Sequence, residues 1–306
     1  MSTGPATPPL TIAAVERDTG LSKDTLRIWE RRSGFPQPVR DAQGERAYPP
    51  EQVDKLRLLK RLLDSGHRPG KLMRLDADAL AQLGAGPVAA APAPGLEAPY
   101  LELLQAHDVA GLRRQLHQAL LSLGLERFVA DHLARLNTAV GEAWMRGVLS
   151  VAQEHVYTEG VQLVLRQAIG SIPEPASGAT RVLLATLPQE PHGLGLLMAE
   201  ALLSLHGCRC TSLGVRVPLD GIAEAAAVSR AAVVALSFSS SFSGQQAVAA
   251  LADLRRLLPA GVVIWAGGSN PALRRRLPAG VLAVPDIGLV PQLLKPIQSA
   301  VGPGEP

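Results

Sequence analysis

The sequence predicts a multidomain protein: an all-α winged helix-turn-helix, then a four-helix bundle, then an α/β domain with a doubly wound parallel sheet. Residues 10–75 combine dense charge with apolar residues at helical spacing. Residues 99–172 continue a helical pattern that proline does not interrupt after Pro99. From Arg181 onward, short apolar runs alternate with helical stretches, which is typical of a parallel sheet covered on both faces.

The composition indicates a globular chain without a disulfide framework. Of its 306 residues, 47% are hydrophobic and 19% are charged, which is enough apolar material for sizeable cores. The two cysteines, Cys208 and Cys210, are interpreted as core residues. The N-terminal residues lack the pattern of an export signal, and the longest apolar stretch, residues 193–205, is too short to span a bilayer. We therefore expect a cytoplasmic protein that does not bind a membrane.

Positive charge is concentrated at the N-terminus. Residues 1–75 carry 14 lysine and arginine residues against 9 acidic residues, whereas the rest of the chain carries 16 against 18. A basic module on a slightly acidic body favours a polyanionic partner such as nucleic acid. An ordinary solvated surface would carry the same charge.

Two short helices joined by a turn at Gly20 predict a helix-turn-helix in this basic region. The first helix covers residues 11–18, and Ser22 is suited to cap a second helix over residues 23–32. Residues 39–48 hold a turn sequence between short flanks, which predicts a hairpin or wing.

This segment resembles the winged helix-turn-helix of the mercury-resistance (MerR) regulator family. Two hallmarks of that family stand here as Thr25 to Arg31 (TLRIWER) and Gly44 to Tyr48 (GERAY). The resemblance implies binding to double-stranded promoter DNA, as at least a dimer because the operators of the family are two-fold symmetric. Arginine offers a forked donor to phosphate or guanine, and tyrosine and tryptophan each offer one polar group. The residues that the resemblance places at the DNA are Thr25, Arg27, Trp29, Arg31, Arg46 and Tyr48.

Two features stand out in the helical region. Trp144 and the pair Glu154-His155 flank an expected helix–helix turn at Gly147. Judged by spacing alone, Trp144 is a core residue, and Glu154 and His155 lie on a solvated face. The other histidines of this region, including His132, are expected at the surface.

The C-terminal half contains five candidate strands separated by helical stretches, which suits a flavodoxin-like domain. The strands are predicted at residues 182–187, 210–214, 233–237, 262–266 and 281–284. Ligands of such a domain sit outside the carboxyl ends of the strands. The candidate ligand-binding residues that cluster at those ends are Glu190, His192, Gly195, Ser237, Ser239, Gly267 and Gly268.

These residue types suit a bulky, flat, metal-containing ligand. His192 can give one ring nitrogen to a metal while Glu190 accepts a hydrogen bond from the other, which fixes the tautomer and strengthens the ligand. The pair Gly267-Gly268 lets a flat group approach the backbone. His192 could instead be an ordinary loop histidine. No Gly-x-Gly-x-x-Gly follows the first strand, which disfavours a nicotinamide cofactor.

This half of the chain resembles the cobalamin-binding domain shared by methionine synthase and corrinoid proteins. The Asp-x-His-x-x-Gly motif of that family corresponds to residues 190–195, where Glu replaces Asp. Its Gly-Gly motif corresponds to residues 267–268, and part of its serine motif corresponds to residues 237–239. The resemblance implies that His192 is the lower ligand of the cobalt of cobalamin.

The three parts together resemble the CarH/LitR family of light-dependent repressors. The bundle of that family carries a tryptophan, nine residues and then Glu-His, and nine residues separate Trp144 from Glu154-His155 here. The resemblance implies that these residues cap the adenosyl face of adenosylcobalamin, and that the protein is a light-responsive repressor and not an enzyme.

Met145, also in the implied cofactor site, departs from this pattern. The best-known light-responsive members have a histidine there, which takes the upper cobalt position after photolysis. A thioether is a soft, weak ligand and does not reproduce that histidine. A similar architecture with a degenerate effector site occurs in MlrA-like regulators, which is one alternative. A corrinoid carrier for methyl transfer is another, which the helix-turn-helix disfavours.

The predicted domain organisation follows these resemblances. It consists of a DNA-binding domain at 1–76, a linker at 77–98, a bundle capping cobalamin at 99–176 and a cobalamin-binding domain at 178–300. On DNA we expect a dimer or a tetramer of the chain.

Overall fold

The computed structural model describes residues 9–19, 21–41, 44–64, 69–76, 79–80, 95–240, 242–274 and 277–301. The chain forms two compact units, which are considered separately below. The first comprises Met1–Ala93 with Met145–Val148, and the second comprises Pro94–Trp144 with Leu149–Pro306. Within the described ranges, every helix is too short or too polar to cross a lipid bilayer.

The N-terminal unit has the predicted winged helix-turn-helix. Its elements are β1 (Leu10–Thr11), α1 (Ile12–Thr19), α2 (Lys23–Ser33), β2 (Val39–Arg40), β3 (Arg46–Tyr48), α3 (Pro50–Asp64) and α4 (Pro69–Leu72). The strands pair antiparallel in the order β1-β3-β2, so that β2 and β3 form the wing. Ala42 and Gln43 of its predicted turn lie outside the described residues. Because Thr11 pairs with Ala47, it belongs to a strand, and the prediction that the first helix includes Thr11 is wrong.

The local sequence explains where α2 begins and ends. The side chain of Ser22 accepts a hydrogen bond from the backbone N–H of Thr25 at 3.1 Å, which satisfies one of the free donors of the first turn. Gly34 ends the helix in the left-handed conformation, with a φ of 68°, and its N–H donates to the carbonyl of Glu30. Between these caps, Leu26 is fully buried and fixes the helix on the domain core.

The second unit begins with the predicted four-helix bundle. Its helices are α5 (Ala98–Gln105), α6 (Val109–Arg127), α7 (Ala134–Met145) and α8 (Val151–Gly170). A π-helical segment, Phe128–Leu133, joins α6 to α7. His132 on this segment is 6% exposed, lies 2.8 Å from the hydroxyl of Tyr100 and stacks on Phe128. The expectation of a surface His132 is therefore wrong, because the segment turns this side chain into the bundle core.

The predicted parallel sheet completes the second unit. Its strands are β4 (Arg181–Ala185), β5 (Arg209–Gly214), β6 (Val233–Phe238), β7 (Val263–Gly268) and β8 (Val281–Val284). They pair in the order β5-β4-β6-β7-β8, the flavodoxin-like arrangement, and begin or end within two residues of the predicted bounds. The strands β4 to β7 are connected by α9 (Leu194–Leu205), α10 (Leu219–Ser229) and α11 (Gly244–Leu257), and α12 (Val290–Val301) follows β8.

Both faces of the sheet are buried. In β4, Val182 and Leu184 pack into a core shared with the bundle and α9, whereas Leu183 and Ala185 pack into a second core with α10 and α11. This alternation is what a strand covered on both sides requires. The bundle therefore covers one face of the sheet, close to the carboxyl ends of β4, β6 and β7.

Candidate functional site

A cavity of about 1220 Å³ lies between the bundle and the carboxyl ends of the strands. This exceeds the roughly 300–1,000 Å³ of an ordinary small-molecule pocket, so the space suits a large ligand. The predicted cofactor residues that line it are His192, Gly195, Ser237, Ser239, Gly267 and Gly268. On the opposite wall, the bundle contributes Asp131, Ala134, Thr138 and Glu142.

Glu190 is fully buried and holds the ring of His192. Its Oε1 accepts hydrogen bonds from Nδ1 of His192 at 2.6 Å and from the backbone N–H of the same residue at 3.1 Å. Its Oε2 accepts from the N–H and the hydroxyl of Ser239 at 2.7 and 2.8 Å. Because Nδ1 bonds to Glu190, a metal bound by this ring would be ligated by Nε2. The side chain of His192 is 60% exposed, at the wall of the cavity.

The charge of Glu190 is maintained by these contacts. Burial alone would raise the pKa of this carboxyl, but the hydrogen bonds from His192 and Ser239 outweigh burial and lower the pKa overall. The group is therefore an ionised acceptor at neutral pH, which favours a proton on Nδ1 of His192.

Thr186 fixes the loop that carries this pair. It follows β4, is fully buried, and donates its hydroxyl hydrogen to the carbonyl of Glu190 at 2.6 Å. The same hydroxyl accepts from the backbone N–H of Arg216 at 3.0 Å. The loop after β4 is thus tied to the loop after β5, which limits the movement of Glu190.

Glycines keep the backbone around the cavity open. A Cβ at Gly195 would lie 2.8 Å from the hydroxyl oxygen of Ser237. Gly268 has a φ of 114°, and a Cβ there would collide with the carbonyl of Phe238. Side chains at these two positions would therefore crowd β6, and without them a broad ligand can approach the backbone at the floor of the cavity.

Trp144 and the Glu154-His155 pair flank the turn between α7 and α8, but none of them belongs to the described residues that line the cavity. Trp144 is partly buried and packs against the core of the second unit. Nδ1 of His155 lies 2.7 Å from the carboxylate of Glu154, and its side chain is 72% exposed. Met145 is the last residue of α7. A capping role for these residues stays a prediction.

The predicted DNA-binding residues of α2 occupy different environments. Arg27 and Arg31 are exposed, whereas Trp29 packs partly against the domain core. The hydroxyl of Thr25 lies 2.8 Å from the hydroxyl of Ser22, beside the helix cap. Among the predicted residues of α2, the two arginines are therefore the ones whose position best suits contact with a polyanion.

The two predicted wing residues have structural contacts of their own. Arg46 forms an ion pair with Glu30 of α2, with Nε and Oε2 2.9 Å apart, so it ties the wing to α2. Tyr48 is fully buried; its hydroxyl has no hydrogen-bond partner among the described residues, and burial raises its pKa. Contact between Tyr48 and DNA stays a prediction that this position does not support.

Sequence reasoning did not find the bundle wall of the cavity or one residue of its floor. The wall residues Asp131, Ala134, Thr138 and Glu142 follow each other by three, four and four positions, which indicates one helix face. That spacing does not show which face meets the sheet. Trp265 of β7 also lines the cavity, and its place within an apolar strand gave no sign of this.

Comparison with known proteins identifies the class of protein to which the chain belongs. Residues 10–77 match the MerR HTH family of regulatory proteins, and residues 96–168 and 180–284 each match a B12 binding domain. Together with the fold, these matches define a MerR-type regulator with cobalamin-binding domains.

Two relatives narrow the class to a family. The chain is 34% identical over 258 residues to the HTH-type transcriptional repressor CarH of Myxococcus xanthus, covering 82% of this chain and 85% of that protein. It is 31% identical over 268 residues to the HTH-type transcriptional repressor CarA of the same organism, covering 87% and 89%. The chain belongs to the family of CarH and CarA, which confirms the resemblance found in the sequence.

A solved structure shares the fold of the second unit. The monomethylamine corrinoid protein of Methanosarcina barkeri matches with a TM-score of 0.53 at 16% identity, covering 66% of this chain and 98% of that protein. At this identity, the likeness concerns the fold alone.

Proposed function

We propose that the protein is a cobalamin-dependent, light-responsive transcriptional repressor that binds double-stranded promoter DNA as a dimer or tetramer and catalyses no reaction. The observation that carries this proposal is the Glu190–His192 pair at the wall of a large cavity, in the same chain as a winged helix-turn-helix. Repression is supported by the relatives CarH and CarA, which are transcriptional repressors.

The residues around the cavity fit cobalamin. His192 would hold the cobalt through Nε2, because Nδ1 of the same ring is bound to Glu190. Glu190 would hold the ring and increase the basicity of that nitrogen. The bare backbone at Gly267 and Gly268 would accept the edge of the corrin, and the volume of the cavity suits a ligand of this size.

We propose adenosylcobalamin as the form that is bound. It supplies a cobalt–carbon bond that light breaks. Trp144 would pack against the adenosyl group, and Glu154 and His155 would offer it hydrogen bonds. Since these three residues do not line the cavity as placed, they would have to come closer to it in the loaded protein. The cofactor would then act through its different affinity for two arrangements of the bundle.

A regulator with a degenerate effector site is the second candidate. Met145 favours it, because this residue stands where the light-responsive proteins that the sequence resembles have a histidine. Such a protein would bind DNA without any response to cobalamin or light.

DNA binding measured in the dark and after illumination tests the proposal. The probe is a duplex that the protein selects from a random pool, and the protein is loaded with adenosylcobalamin or, as a control, with cyanocobalamin. We expect adenosylcobalamin in the dark to promote assembly and tighten DNA binding, illumination to reverse both, and cyanocobalamin to do neither. If neither ligand nor light changes DNA binding and assembly, the proposal is contradicted and the regulator with a degenerate effector site is supported.

A further inference from the structure

A second pocket, of about 470 Å³, lies at the opposite end of the sheet from the cavity that His192 lines. Arg181 is the first residue of β4 and Arg209 is the first residue of β5, so the pocket lies at the amino ends of these strands. Each of its lining side chains carries a hydroxyl or a guanidinium group, and none of the described lining residues is acidic. The lining residues are Ser177, Arg181, Arg209, Thr211 and Ser229. This composition favours a negatively charged ligand.

The two arginines stand side by side. Arg181 pairs in register with Arg209, and neighbouring strands are about 4.8 Å apart, so both side chains lie on the same face of the sheet. Like charges directly opposite each other on neighbouring strands are unfavourable. In the parts of the chain that the structure describes, neither arginine forms an ion pair with a carboxylate. An anion bound between them would offset this repulsion.

Backbone carbonyls hold both guanidinium groups in place. Nη1 of Arg181 donates to the carbonyl of Ser229, the last residue of α10, at 3.3 Å. Nη2 of Arg209 donates to the carbonyl of Pro175, also at 3.3 Å. A guanidinium has five N–H donors, so each arginine keeps further donors after these contacts. The two groups are thus oriented before a ligand arrives, which reduces the entropy lost on binding.

The hydroxyl groups of the pocket have different roles. The hydroxyl of Ser229 donates to the carbonyl of Ala225 at 2.6 Å, so its hydrogen is already used. Ser177 and Thr211 are exposed, and their hydroxyls make no hydrogen bond with the described residues. Thr211 stands two residues after Arg209 in β5, so both side chains lie on the same face of the strand. Two hydroxyls and two guanidinium groups can therefore donate into the same pocket.

We propose that Arg181, Arg209, Ser177 and Thr211 bind a phosphate group, carried by inorganic phosphate or by a small phosphate monoester. The forked donors of arginine match the oxygens of a phosphate, and the hydroxyls supply additional donors. None of the described lining residues is aromatic, so the pocket has no surface for stacking a nucleobase, and the phosphate is the part that is recognised. The volume of about 470 Å³ leaves room for a small organic group beside the phosphate. Because this pocket lies apart from the cavity, the inference does not depend on the proposed function.

Titration calorimetry of the full chain with inorganic phosphate and with ribose 5-phosphate, at constant ionic strength in chloride, tests the proposal. We expect saturable binding of one phosphate group per chain. Arg209→Gln removes an exposed charge and should weaken this binding about tenfold or more, the usual effect of losing a hydrogen bond to a charged group. Arg209→Lys should also weaken it, because lysine keeps the charge and loses the fork. Arg113→Gln, at an exposed position of α6, is the matched control and should have no effect.

The two ligands distinguish the source of the phosphate. Tighter binding of ribose 5-phosphate would support a monoester, whereas equal or tighter binding of inorganic phosphate would support the free ion. The proposal is overturned if neither ligand binds saturably, or if ribose without phosphate binds as well. Equal losses in Arg209→Gln and Arg113→Gln would also overturn it, because the attraction would then come from net charge alone.

A second measurement uses the wild-type protein and does not depend on how well a variant folds. A ligand that binds only the folded chain raises the Tm with its concentration. Phosphate should therefore raise the Tm above that in chloride of equal ionic strength, and the same comparison in Arg209→Gln should show a smaller rise. No rise in the wild-type protein would overturn the proposal. Weaker binding of operator DNA by Arg209→Gln, without any binding of phosphate, would overturn it as well and would assign the arginine to DNA.

Discussion

Oε1 of Glu190 lies 2.6 Å from Nδ1 of His192, and the glutamate is fully buried while the histidine reaches the cavity. This pair joins a fixed charge inside the domain to a ring nitrogen that can meet a metal. The geometry gives each residue a separate role, and the roles can be tested separately.

Glu190→Gln tests the orienting role. A glutamine can occupy the same space but carries no charge, so it holds the ring less firmly and lowers its basicity. We expect cobalamin affinity to fall by roughly ten- to a hundredfold, the usual effect of changing a group behind a metal ligand. Absorption titration measures the affinity. Glu224→Gln, an exposed change on α10 away from the cavity, is the matched control, and an equal effect of both variants would contradict the orienting role.

Arg46 and Glu30 form an ion pair, so two variants are needed to learn whether Arg46 meets DNA. If it does, Arg46→Ala should weaken specific binding by about 1–3 kcal/mol, and Glu30→Gln should leave it unchanged or strengthen it, since a negative charge near the DNA is lost. Binding of a labelled operator duplex at several salt concentrations measures both. Equal losses for the two variants would mean that Arg46 only ties the wing to α2.

Tyr48→Phe removes a hydroxyl that is buried without a partner. An unpaired buried polar group is unfavourable, so the free energy of unfolding should stay the same or rise by up to about 1 kcal/mol. DNA affinity should not change, because the hydroxyl faces the domain core. Denaturant melts and operator binding provide the two measurements. Weaker DNA binding at unchanged stability would show that Tyr48 leaves the core to reach the DNA.

Met145→His tests the consequence of a thioether beside Trp144. In the wild-type protein we expect the illuminated state to revert readily when fresh adenosylcobalamin is added in the dark, because a thioether is a weak ligand. The histidine variant should hold that state far longer. Absorption spectra and gel filtration after illumination follow the change. A wild-type protein that shows a lasting spectrum of two histidine ligands would contradict this prediction and point to His155 as the upper ligand.

Much of the fold follows from local patterns in the chain. Alternation of apolar runs and helices predicts the parallel sheet, since its strands are buried on both faces, and the spacing of Glu190 and His192 within one short loop predicts their contact. The environments of His132, Tyr48 and Trp265 could not be predicted in this way, because each depends on which surfaces meet in three dimensions. A π-helical segment turns His132 inward, Tyr48 packs into the core of the N-terminal unit, and the bundle closes a cavity over Trp265. Periodicity in one segment does not contain this information.

Binding of adenosylcobalamin to the wild-type protein and to His192→Ala, titrated in the dark and followed by absorption, tests the central claim most directly. The claim is that this histidine, held by Glu190, is the protein ligand of cobalt. We expect the wild-type protein to retain the cofactor through gel filtration with a spectrum that shows histidine in place of the benzimidazole, and His192→Ala to lose most of its affinity. An unchanged spectrum and affinity in His192→Ala would contradict the claim.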